Sequence, residues 1–257
     1  MRHFILLFLY SLILIFIQSC TKTESQSAPV QQSGNGSLFF HLHTYADTNE
    51  VSHYDSVYIL SGGRRITVHR AQLYISNIRF VKSDGSLYNV PNTIVLKDQE
   101  IEIYFVGNVP AGNYSSLRFT VGLDSVTNLK VPASIDTALN NSSMWFGSTA
   151  QPQGYVFVNF QGTIDTTTNA SATNLIPFKY LIGTNSNRRQ VMMPTQNITI
   201  TSNQTQYIHI LIDYNKLFNG VQLNSMNNLQ VMNPSDNTGG LATKIANNIP
   251  LMFSYEY

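Results

Sequence analysis

The chain has 257 residues, of which 43% are hydrophobic, 11% aromatic and only 11% charged, where roughly 25% charged is usual for a soluble domain. Fifteen Lys and Arg stand against fourteen Asp and Glu, and one of the cations, Arg2, lies in a segment read below as cleaved; the balance that remains excludes the clustered basic surface that nucleic acid or a polybasic membrane contact requires. A single cysteine excludes a disulfide framework, a Cys-based zinc site and a Cys-ligated iron–sulfur cluster.

The first element follows Arg2, an apolar run over residues 4–17 broken only by Tyr10 and Ser11. A charged start and a short apolar stretch describe a secretory signal peptide over residues 1–19. The run is shorter than the roughly 20 residues a helix needs to cross the hydrocarbon core, so a permanent transmembrane anchor is the weaker reading. The segment I-Q-S-C, ending at Cys20, resembles a bacterial lipobox, which implies cleavage before Cys20 and its lipidation. Nothing in the Ser-, Gln-, Thr- and Gly-rich residues that follow could bury a lone thiol, and residues 20–36 read as a flexible tether. Acyl chains add about 0.8 kcal/mol per buried CH₂, so the expectation is a globular protein held to a membrane through Cys20, in the cell envelope and facing the periplasm or the cell surface.

From residue 37 onward, short runs of Val, Ile, Phe, Tyr and Thr alternate with Gly, Pro, Asn and Asp, the all-β pattern. Candidate strands fall at 37–45, 66–81, 101–106, 115–124, 155–161, 175–182, 196–201, 206–213 and 249–255. In the fourth, Leu117, Phe119, Val121 and Leu123 share one face and Arg118, Thr120 and Asp124 the other; in the eighth, Ile208, Ile210 and Ile212 oppose Tyr207, His209, Leu211 and Asp213. Turn signals lie at 61–63, 83–85 and 110–112. Short helices are expected at 135–141, 214–219 and 240–248, and residues 163–174 read as a polar loop. No long amphipathic helix alternates with the strands, which disfavours a doubly wound fold and leaves one domain, 37–257, as an antiparallel β-sandwich with a few short helices.

Catalytic motifs are missing: no G-x-S-x-G, H-E-x-x-H, P-loop, G-x-G-x-x-G or C-x-x-C occurs, and the scattered carboxylates form no acid–base pair by spacing, so no enzyme is expected. The chemistry concentrates on histidine. His41 and His43 form H-x-H on a predicted strand, which places both rings on one face with Cβ atoms about 6.5 to 7 Å apart. Two such imidazoles can converge on one metal, with a third ligand from His209, His69 or His53; imidazole suits copper and zinc, and the thioethers Met192, Met193 and Met232 suit Cu(I). The alternative is a set of wet sheet histidines with methionines used for packing. Trp145, between Met144 and Phe146, reads either as a stacking platform or as a core anchor.

Several segments together resemble one family, the MbnP-like proteins, periplasmic or lipidated β-proteins named for a copper-binding member. ITVHRAQLYISNIRFVKSDG from Ile66 is similar to the family's strand ending in Y-x-S-N-I before a D-G turn. VPAGNYSSLRFTVGLDSVTN, residues 109–128, is similar to its v-p-x-G-x-Y-x-x-l-x-F-x-i-G-v-D-x-x-x-N run, and SSMWF, GYVFVNFQG and KIANNIPLMFSYEY resemble its later elements. The resemblance implies an extracytoplasmic β-rich fold, copper binding, and a di-haem peroxidase-like envelope protein as companion. Two segments depart from it. Members often carry H-I-G-G where this chain has Leu181, Ile182, Gly183 and Thr184, and a histidine where it has Gln230. The reading is a non-catalytic lipoprotein that binds copper through His43 with His41 or His209; the rival is a metal-free envelope module that recognises a glycan or a protein.

Overall fold

The computed structural model describes residues 34–256 except 100, 133–137, 149–150 and 168–174. The signal segment, Cys20 and the tether up to residue 33 lie outside the described residues, as do residues 135–137 and the 168–174 part of the polar loop; of the helix expected at 135–141, the described residues 138–141 form a turn and loop instead. Strands make up most of the rest: β1 (Asn35–Ala46), β2 (Asn49–Glu50), β3 (Val57–Ile59), β4 (Arg65–Lys82), β5 (Leu87–Asn89), β6 (Ile94–Lys97), β7 (Ile103–Pro110) and β8 (Gly112–Val121) in the first half. The second half adds β9 (Trp145–Ser148), β10 (Gln151–Asp165), β11 (Leu175–Gly183), β12 (Arg189–Met192), β13 (Ile198–Ile200), β14 (Thr205–Asp213), β15 (Gln230–Val231) and β16 (Phe253–Tyr255), and the described residues include one α-helix, α1 (Gly240–Asn248). No helix among the described residues is long and apolar enough to cross a membrane.

The strands form two sheets. In the smaller, the order is β16–β14–β1, with β7 and β2 side by side along the far edge of β1. In the larger, the path is β12–β8–β4–β10–β11–β15, with short strands paired to its members. The all-β expectation holds, but the sheets are mixed where purely antiparallel ones were expected: β1 runs parallel to β14, and β11 parallel to β15. Alternation of apolar and polar residues is the same for either direction, and no hairpin links β1 to β14, so the pattern that located both strands could not orient them.

Two other expectations are refined. The 214–219 helix is a 3₁₀ turn, Tyr214–Phe218, and the 249–255 strand begins as another, Ile249–Met252, because Pro250 has no N–H to give a ladder. The main core lies between the sheets: Leu38, Phe40 and Leu42 of β1 and Ile208, Ile210 and Ile212 of β14 join Leu117, Phe119 and Val121 of β8. Phe119 and Phe253 cross the gap edge to face at 5.0 Å. Each such side chain contributes about 1.5–3 kcal/mol by leaving water. On the opposite face of β4, Tyr74 enters a second cluster with Met144, Phe146, Tyr155 and Phe157.

Candidate metal centre

β1 alternates without a break, so the even-numbered residues from Leu38 to Ala46 are buried and Phe39, His41, His43 and Tyr45 face outward. Parallel pairing sets β14 beside it in register, with His41 opposite His209 and Phe39 opposite Tyr207. The three imidazoles therefore meet on the outer face of the smaller sheet. Ring centroids lie 4.1 Å apart for His41 and His43, 4.7 Å for His41 and His209, and 6.0 Å for His43 and His209. The two rings of the H-x-H pair lean together, closing much of the distance their backbone positions leave between them.

Three carboxylates surround the rings. His41 Nε2–H donates to Glu102 Oε2 at 3.2 Å, and His43 Nδ1–H donates to Glu50 Oε1 at 3.1 Å. Glu256 Oε2 lies 3.1 Å from His209 Nδ1 and 3.4 Å from His43 Nε2. A carboxylate only accepts, so the hydrogen bonds to Glu102 and Glu50 set the tautomers of His41 and His43. With a proton on His41 Nε2 and on His43 Nδ1, the lone pairs at His41 Nδ1 and His43 Nε2 are left facing the centre. His209 Nδ1 sits 3.1 Å from both His41 Nδ1 and Glu256 Oε2. His43 Nε2 is shielded from solvent and makes no hydrogen bond.

That donor set fits a metal ion. One nitrogen from each histidine lies within 4.8 Å of the others, and two nitrogens of a tetrahedral ion with bonds of ~2.0 Å sit about 3.3 Å apart. The His41–His209 separation is already there, and rotation of His43 about its side-chain bonds closes the rest. The three carboxylates give the patch a negative charge, which favours a cation. The field extends to Tyr45, whose hydroxyl is raised above its ordinary pKa by burial and then by the charges of Glu50 and Glu256. Exposure is graded: the His43 side chain is 12% exposed and that of His209 44%, so one side of the cluster opens to solvent.

The other sequence candidates lie elsewhere. His69 faces Asp55 and Thr67, and His53 bonds Ser52, so neither joins the cluster. Met193 is core, while Met192 and Met232 are exposed away from the rings. Trp145 packs with Met144 and Phe146 in the second hydrophobic cluster, the core-anchor reading, and Leu181 packs there too. Gln230 stands on β15 opposite Lys179. Glu50, Glu102 and Glu256 escaped the sequence reading. Only Glu50 had a local signal, since Asp47 and Thr48 form a two-residue turn that folds it back beside Tyr45.

The sequence profile of the MbnP family matches residues 35–233. No curated protein sequence matches the chain. The solved structure of MbnP from Methylosinus trichosporium aligns with a TM-score of 0.52 and 16% identity, over 72% of this chain and 78% of that one, a likeness that speaks for a shared fold. With the profile spanning well over half of its length, the chain belongs to the MbnP family.

Proposed function

We propose that this protein is a cell-envelope lipoprotein that binds copper at His41, His43 and His209 and captures or hands on the ion without catalysis. The observation that carries the reading is the inward-facing nitrogen set, with a carboxylate holding the far side of His41 and of His43. Copper is favoured over other first-row ions because divalent affinity at an imidazole site peaks at Cu(II) and because imidazole also serves Cu(I). The family resemblance points the same way, and it brings in a di-haem peroxidase-like envelope protein as companion. Glu50, Glu102 and Glu256 orient the rings and neutralise the ion's charge.

Copper titration of the full chain tests the site. One equivalent should bind tightly, His43→Ala should abolish that binding, and His53→Ala should leave it intact because His53 lies outside the cluster. Equal loss from both substitutions, or binding no tighter than that of a histidine-containing peptide, rejects the site. Anchoring is tested separately. Cys20→Ala should release the protein from membranes, and the wild-type N-terminal peptide should carry acyl mass; retention of the variant in the membrane fraction with no acyl mass rejects the lipobox reading.

A further inference from the structure

A polar cleft of about 880 Å³ opens where β4, β8 and β12 present their outer faces. Its cations are Arg79 on β4, Lys130 behind the 3₁₀ turn Thr127–Leu129, and Arg188 behind the turn Asn185–Asn187. None of the three side chains makes an ion pair or a hydrogen bond to another described residue, and Arg79 Nε is shielded from water as well. The cleft's single carboxylate does not answer them. Asp124 accepts from the backbone N–H of Val126 and of Thr127 and from the Thr127 hydroxyl at 2.6–3.0 Å, closing its own turn. Three cations are therefore without a partner, and the lining carries a net charge of +2, in a concave site whose size is ordinary for a small-molecule ligand.

The fold has gone out of its way to put Arg79 there. Ser76 pairs with Thr120 and Arg79 with Arg118, so two residues of β4 are spent opposite Phe119 alone. This is a β-bulge at Asn77, whose φ of 51° takes the left-handed turn. The extra residue lets Ser76 and Arg79 share the outer face while Ile75 and Ile78 stay in the core. It also sets Arg79 directly across from Arg118, and like charges in that position destabilise a sheet. Around the cations the lining offers amides. The side-chain amides of Asn92 and Gln190 have no hydrogen-bond partner among the described residues, and Gln190 extends the Ser76–Thr120 row onto β12.

From this arrangement we infer that the cleft binds a phosphorylated saccharide, the phosphate monoester between Arg79, Lys130 and Arg188 and the sugar hydroxyls on Asn92, Gln190 and the Ser76–Thr120 row. A phosphate monoester carries about −1.5 to −2 charges at neutral pH, which matches the cleft's net charge of +2. Guanidinium forks bind its oxygens two at a time, and the free amides give the hydroxyls both donors and acceptors. The site is separate from the histidine cluster, which lies on the other sheet.

Calorimetric titration of the full chain with glucose 6-phosphate, glucose and inorganic phosphate tests the inference. Glucose 6-phosphate should bind saturably with one site per chain, more tightly than inorganic phosphate, while glucose alone should not bind. Affinity should fall as salt rises. Arg188→Gln should weaken it at least about tenfold, whereas His43→Ala should leave it unchanged. Arg188 is exposed on a turn, so this variant keeps the wild-type melting curve even if Arg79→Gln does not fold. Wild-type affinity in Arg188→Gln, no saturable binding, or equal affinity for inorganic phosphate and glucose 6-phosphate overturns the assignment.

Discussion

Glu50 touches His43 on the nitrogen that points away from the centre of the cluster, so its effect on a bound ion passes through the ring. A carboxylate there keeps the proton on Nδ1, holds the ring's orientation and makes Nε2 a stronger donor. Glu50→Gln preserves an oxygen that can accept the same bond but removes the charge. Copper affinity should then fall roughly 10- to 100-fold with stoichiometry unchanged, read by competition against a chromophoric chelator. Asp55→Asn makes the same chemical change beside His69, outside the cluster, and should leave copper affinity where it was. Equal losses would mean that the protein's overall charge, and not ring orientation, sets the affinity.

At the scale of strands, alternation is the strongest constraint the chain carries. Phe119 on β8 is fully buried and meets Phe253 edge to face, so Phe119→Ala should cost about 3–5 kcal/mol in denaturant unfolding. Its neighbour Thr120 points to the other face. That face is not fully wet as expected: Thr120 is 7% exposed, and its hydroxyl accepts from the Asn77 amide at a long 3.5 Å. Thr120→Ala should still cost about 1 kcal/mol or less, and equal costs at the two positions would break the face assignment. Runs of β-branched and aromatic residues locate β1, β4, β8, β10, β11 and β14 in the sequence, clean alternation assigns the faces of β8 and β14, and the H-x-H spacing puts His41 and His43 on one side. These signals are silent on which strands are neighbours. His209 could be offered only alongside His53 and His69, because the register that sets it opposite His41 joins residues 168 positions apart. Glu102 and Glu256 were invisible for the same reason. The bulges were equally hidden: Gly162 sits where a Cβ would lie 1.9 Å from the Thr67 carbonyl oxygen, a close approach no local pattern announces.

Over the whole molecule the charges nearly cancel, yet they are sorted, with carboxylates around the histidines of one sheet and free cations in a cleft of the other. A few ionisable groups are instead carried into the interior, and they set how stability depends on pH. Lys97 is almost wholly enclosed, and burial lowers its pKa from 10.5 to about 8, opposed by the charges of Glu102 and Asp98. Because the folded value lies below the unfolded one, this lysine's contribution is full above about pH 10.5 and is lost as pH falls to about 8. At 1.36 kcal/mol per unit, the whole span amounts to about 3 kcal/mol. The buried tyrosines have the opposite sign. Burial pushes Tyr54 up to about 12 and raises Tyr104, Tyr180 and Tyr214 further, so the stability they give is full below their unfolded value of 10.0 and is lost as pH rises beyond it. Stability against urea should therefore climb between about pH 8 and 10 and turn down above 10. Lys97→Met keeps an unbranched apolar stem in the same space and removes the charge. It should flatten the rise, make the protein more stable at pH 7, and leave the downturn above pH 10 in place. A rise that persists in Lys97→Met would assign it to another group, and a variant less stable at pH 7 would show that the bond from Lys97 Nζ to the Asp98 carbonyl outweighs the cost of burying the ammonium.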